Sequence, residues 1–138
     1  MRNSNSIGEL PKVDALVLFD QVSADPATRK VSCLGAFYNI FAKKFPATQP
    51  SLGVFASMTN LHGTINFKVA VCSATDESEL AAAEGTITCN DPLASVDLPI
   101  SFPPIAIPAA GAYFVRLSAN GQMLQDRRFI ATLSPAKA

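Results

Sequence analysis

Between Thr64 and Ser73 every second residue is apolar. Ile65, Phe67, Val69 and Val71 project to one side, and Thr64, Asn66, Lys68 and Ala70 to the other. A period of two is the side-chain period of a β-strand, and a strand with one apolar face needs a second layer to cover it. The same pattern recurs along the chain. Val96, Leu98, Ile100 and Phe102 alternate with Asp97, Pro99 and Ser101; Tyr113, Val115, Leu117 and Ala119 alternate with Phe114, Arg116 and Ser118. In Val13–Val22, Val13, Ala15, Val17 and Phe19 share one face while Leu16 and Leu18 occupy the other, so the middle of this strand is expected to be covered twice.

Turn residues separate these runs. Asp25-Pro26 and Asn60–Gly63 read as turns, and Phe45–Pro50, with two prolines, as a connection. Asn120-Gly121 supplies the two positive-φ residues of a type I′ hairpin. That turn sets Leu117 against Leu124, Val115 against Asp126 and Tyr113 against Arg128. Phe129, Ala131 and Leu133 then continue in the opposite parity, which predicts a β-bulge near Asp126–Arg128. Pro99 cannot donate to a ladder and assigns Val96–Phe102 to a sheet edge. Leu52–Thr59 and Gly85–Cys89 read as strands. Val31–Phe37 alternates as a strand, but Phe37, Ile40, Phe41 and Lys44 have helical spacing, so an irregular or helical turn is expected there. Leu80–Glu84 reads as one helical turn, since Asp76 and Glu79 have capping-box spacing.

Seven to nine short strands without a βαβ rhythm predict an all-β fold, a two-sheet antiparallel sandwich of Ig-like or Greek-key type. The 138 residues suit one domain. It is expected over residues 12–133, with a flexible N-terminal tail over 1–11 and a C-terminal tail over 134–138.

Composition narrows the partners. Lys plus Arg and Asp plus Glu are 11 each, so the net charge is zero. A neutral surface draws in neither nucleic acid nor anionic lipid, and neither is expected as a partner. Charged residues are 16% of the chain, against about 25% in an ordinary soluble domain. So little repulsion predicts a protein partner or self-association. No apolar run reaches the ~20 residues of a spanning helix. The first residues lack the apolar core of a signal peptide. Cys33, Cys72 and Cys89 are odd in number, and a cytoplasmic setting with free, buried thiols is expected.

The strand Ala15-Leu16-Val17-Leu18-Phe19-Asp20, Lys30-Val31-Ser32 leading to Gly35, Phe45-Pro46, Asp91-Pro92-Leu93, and Gly111-Ala112-Tyr113 with Asn120-Gly121 together resemble a family of short bacterial proteins of unknown function. The resemblance spans about residues 13–133 and rests on turn glycines and prolines with alternating apolar positions. It implies a small β-sandwich. It implies no activity and supplies no functional residues to transfer.

No sequence motif identifies a catalytic, cofactor or metal site, and none is assigned. His62, the only histidine, lies in a turn without a Gly-x-Ser-x-Gly elbow or an identifiable nucleophile nearby. The cysteines lack the close pairs of a zinc site. Asp76, Glu77 and Glu79 lack EF-hand spacing, and Asp20 and Asp25 read as turn residues. Lys43-Lys44 and Arg127-Arg128 are isolated basic pairs. Most of the nine Phe fall on apolar faces, which leaves Tyr38, His62 and Tyr113 as candidate ligand contacts. The leading expectation is a non-catalytic binding or structural assembly module. The alternatives are small-ligand or carbohydrate recognition at the sandwich loops, and an enzyme using His62.

Overall fold

The structure, a computed structural model, describes residues 10–134. Among them are eleven strands: β1 (Lys12–Ala24), β2 (Val31–Ala36), β3 (Asn39–Ala42), β4 (Ala47–Gln49), β5 (Leu52–Thr59), β6 (Gly63–Ser73), β7 (Glu79–Cys89), β8 (Val96–Phe102), β9 (Ile105–Ile107), β10 (Gly111–Ala119) and β11 (Gln122–Leu133). One sheet has the order β2-β1-β5-β8, the other β3-β11-β10-β6-β7, and β4 and β9 form a separate two-stranded ribbon. The two main sheets hold nine strands, and the ribbon takes the total past the expected seven to nine. The sandwich is not purely antiparallel either, because β3 runs parallel to β11.

Alternation decides what lies between the layers. Leu16 and Leu18 on β1, Leu52, Val54, Ala56 and Met58 on β5, and Leu98 and Phe102 on β8 form one inner face. Ile65, Val69, Val71, Tyr113, Val115, Leu117, Phe129 and Ala131 form the facing one, and Ile105 and Ile107 of the ribbon join the same core. No polar or charged side chain among the described residues is buried. Each fully covered Leu, Val or Phe contributes about 1.5–3 kcal/mol of transfer free energy. Contrary to the expectation for β1, Ala15, Val17 and Phe19 remain half-buried on an outer face, so this strand is covered on one side only.

Tyr113 opens β10. Its hydroxyl donates to the Ala109 carbonyl at 2.6 Å, and its ring stacks on Phe129 with centroids 5.5 Å apart. This backward tie is similar to the tyrosine corner of immunoglobulin domains, which place a disulfide cysteine two residues further on. Val115 occupies that position here, fully buried, so packing holds the layers together.

The Asn120-Gly121 hairpin forms with φ of 51° and 80°. Its bulge falls earlier than predicted. Ser118 faces Met123 and Leu117 faces Gln125, so Leu124 is the extra residue. Beyond it Val115 faces Arg127 and Tyr113 faces Phe129, which puts Phe129 and Ala131 inside without a second shift. Leu80–Glu84 is strand, not helix. Ala81, Ala82 and Ala83 pair with Val71, Ala70 and Val69 of β6, and a lone helical turn offers no hydrogen bonding to compete with that ladder. Asp76 turns the chain instead, accepting the Ser78 N–H at 3.0 Å. The ambiguous Phe37–Ala42 stretch resolves as a crossing at Phe37 and Tyr38 from one sheet to the other and then β3, with no helical turn. Edge placement of β8 is as expected, with Pro99 opposite Phe55. Pro11, placed in the expected N-terminal tail, is buried beside the start of β1, and the Ser134 N–H donates to the Ala42 carbonyl at 2.7 Å. Leu10, also of that tail, is described and exposed; the rest of the expected tails lies outside the described residues.

Candidate functional site

Three places on the molecule have functional potential. At the start of β1, Leu10, Pro11, His62, Ile65, Ala119, Asn120 and Gln122 line a hollow of about 290 Å³. Gly63 ends the turn that carries His62, whose Nε2 lies 2.9 Å from Asn60 Oδ1. Asn60 in turn donates from Nδ2 to the Leu10 carbonyl at 3.1 Å. Beside the His62 imidazole, these described lining residues contribute amides and alkyl groups, with no hydroxyl, thiol or carboxylate side chain.

Near the end of β1 a second hollow, also about 290 Å³, is lined by residues including Asp20, Ser32, Leu34, Ser51 and Ser101. Two of its hydroxyls bond the β1 backbone. Ser51 donates to the Asp20 carbonyl at 2.9 Å and Ser101 to the Val22 carbonyl at 3.1 Å. These two bonds tie the end of β1 down, while Asp20, Gln21, Ser23 and Ser32 also line the hollow.

The third place is the flank where β2 crosses to β3. Ile40 points into the core, so Phe41 stands on the outer face, 67% exposed. Among the described residues, β3 borders β11 alone. The carbonyls of Tyr38 and Ala42 accept from the Ile130 and Ser134 N–H groups at 2.9 and 2.7 Å. Backbone groups alternate in direction along a strand, so those of Asn39 and Phe41 point away from the sheet. Leu133 (55% exposed) and Leu34 (63%) lie along the same flank, on β11 and on the edge strand β2. Lys43 and Lys44 follow β3, and Arg127 and Arg128 lie on the neighbouring β11. The β3 edge thus combines an exposed aromatic ring and outward backbone groups with basic residues nearby.

The three candidate contacts from the sequence do not form one site. Tyr38 lies on the β2–β3 crossing with the Arg127 guanidinium 4.1 Å above its ring. His62 lies at the start of β6. Tyr113 is 2% exposed, its hydroxyl bonded to Ala109, so it offers no ring face to a ligand and is a core residue. Sequence reading missed Phe41 because period-two and helical spacing overlap across Phe37–Lys44. The two lysines just after it were the available signal of an edge.

Among the described residues no three His, Cys, Asp or Glu side chains cluster as metal ligands. The thiols also differ from expectation: Cys72 is buried, while Cys33 and Cys89 are only half-buried. Loss of hydration pushes the Cys33 and Cys72 thiols above their ordinary value. No described helix is long and apolar enough to cross a membrane.

A family model described as "Family of unknown function (DUF6941)" matches residues 14–132. The chain belongs to this family. The DUF6941 match runs from within β1 to within β11 and so takes in both sheets, the crossing and the β3 edge. No curated protein matches the chain.

Proposed function

We propose that this chain is a non-catalytic binding or assembly module that works through the open strand edge at Phe41. The observation that carries the reading is a large aromatic side chain, 67% exposed, on an edge strand whose outward backbone groups face away from the sheet. Unguarded edges recruit other strands, and the added ladder supplies affinity while side chains such as Phe41 supply specificity. A low charge content supports the same reading, because little repulsion opposes close approach. The half-buried and buried thiols, none in a disulfide, suit a reducing cytoplasmic setting.

Photo-crosslinking tests this. A benzophenone amino acid replaces Phe41 in the full chain within its native cells, with Leu93, 89% exposed in the loop after Asp91, as the control for exposure alone. Discrete adducts from position 41 and not from 93 are expected. Equal labelling from both positions, or none from either, overturns the reading.

A further inference from the structure

We propose that the chain assembles head to tail, the basic β3 edge of one copy lying against the acidic β7 edge of the next. This rests on the reading of β3 as a binding edge and names its partner as a second copy of the same chain.

Among the described residues, the five-stranded sheet has two free edges, β3 and β7. β7 is antiparallel to β6, β6 to β10 and β10 to β11, while β3 is parallel to β11. The two edge strands therefore run in opposite directions. A second copy in the same orientation presents its β7 antiparallel to the first copy's β3, and the sheet continues across the contact as an ordinary antiparallel ladder.

Charge is sorted between these edges. Lys43, Lys44, Arg127 and Arg128 lie on the β3 side, and Asp76, Glu77, Glu79 and Glu84 on or beside β7. The oppositely charged residues nearest each edge are engaged internally. Asp126 of β11 is held in a two-bond pair by Arg116, at 2.7 and 2.9 Å; Arg116 also lies 3.7 Å from Glu77 and Lys68 of β6 bonds Glu79, which leaves Asp76 and Glu84 on the β7 side outside these pairs. A net charge of zero thus conceals one basic flank and one acidic flank. Lysine on a strand edge ordinarily discourages pairing. Against an acidic strand it becomes the complementary partner, whereas two β3 edges brought together set lysine against lysine.

Shape agrees with charge. β7 carries Ala82, Ala83 and Gly85 and no proline or lysine. Phe41 stands on the outer face of β3, and exposed Ala82 stands on the outer face of β7, where its small side chain leaves room for the ring. Because different surfaces meet, the contact is heterologous, and repetition yields a ring or an open filament rather than a closed two-fold dimer.

The test uses two charge-reversed forms of the full chain, K43E/K44E and E77K/E84K, with thermal melts confirming that each folds. Mass by light scattering is followed against concentration. The wild type is expected to grow with concentration and to shrink as salt screens the contact. Each variant alone is expected to need about tenfold more protein, or above, to assemble. An equimolar mixture restores assembly, because the acidified β3 edge of one variant fits the basic β7 edge of the other. Rescue by mixing also shows that neither variant failed through misfolding. A wild type monomeric at high micromolar concentration overturns head-to-tail assembly, and so does assembly that neither reversal weakens or a mixture that stays dissociated. If Phe41 meanwhile crosslinks to a different protein, the binding-edge reading stands and only the identity of the partner falls.

Discussion

The guanidinium carbon of Arg127 lies 4.1 Å above the centre of the Tyr38 ring. This contact fastens β11 of one sheet to the crossing that leaves β2 of the other, and it positions the start of β3. An exposed cation–π pair is worth about 0.5–1 kcal/mol. A double-mutant cycle of Arg127→Gln and Tyr38→Leu, followed by urea unfolding, is expected to return a coupling energy in that range. A coupling of zero contradicts the pairing.

Tyr113→Phe keeps the stacked ring and removes the hydroxyl that donates to Ala109 at 2.6 Å. A lost hydrogen bond of this kind costs about 1 kcal/mol. The variant is expected to unfold at lower denaturant concentration with an unchanged slope. An unaltered midpoint contradicts a stabilising role for the corner.

Gly53→Ala is expected to be more damaging. A Cβ on Gly53 would lie 2.6 Å from Val22 Cγ2 and 3.0 Å from the Val22 backbone nitrogen. Val22 could turn its methyl aside, but the backbone atom has no such freedom. The cost is expected at about 1–3 kcal/mol by chemical denaturation.

Acid should weaken the fold through two turn carboxylates. Asp25 accepts the Thr28 and Ala27 N–H groups, and Asp76 accepts the N–H and hydroxyl of Ser78; in each case these bonds hold the carboxyl below its ordinary value of 3.8. Folded values below unfolded ones mean that the stabilisation is complete above the unfolded value and is lost as pH falls through the folded one. Wild-type stability is therefore expected to decline below about pH 4. D25N/D76N, which keeps acceptor oxygens but cannot titrate, is expected to show a shallower decline in denaturation series between neutral and acid pH.

Much of the fold was legible as alternation. Ile65 through Val71, Val96 through Phe102 and Tyr113 through Ala119 carry one apolar face each, and all three faces are inside. Asn120-Gly121 identified its hairpin because few other residue pairs tolerate two positive φ values. What stayed hidden depended on neighbours distant in sequence. The strand nature of Leu80–Glu84 comes from Val69–Val71 beside it, and the parallel seat of β3 comes from β11, more than eighty residues later. The candidate surface was least legible of all. Lys43-Lys44 and Glu77–Glu84 read as scattered charges until the strand order places them on opposite edges of one sheet.

Amide hydrogen exchange of the wild-type chain, compared between dilute and concentrated samples, tests the central claim most directly. Slower exchange at Asn39–Ala42 and Glu79–Gly85 in the concentrated sample, with the β8 edge unchanged, is the expected result. Identical exchange at both concentrations along β3 and β7 contradicts assembly through these edges.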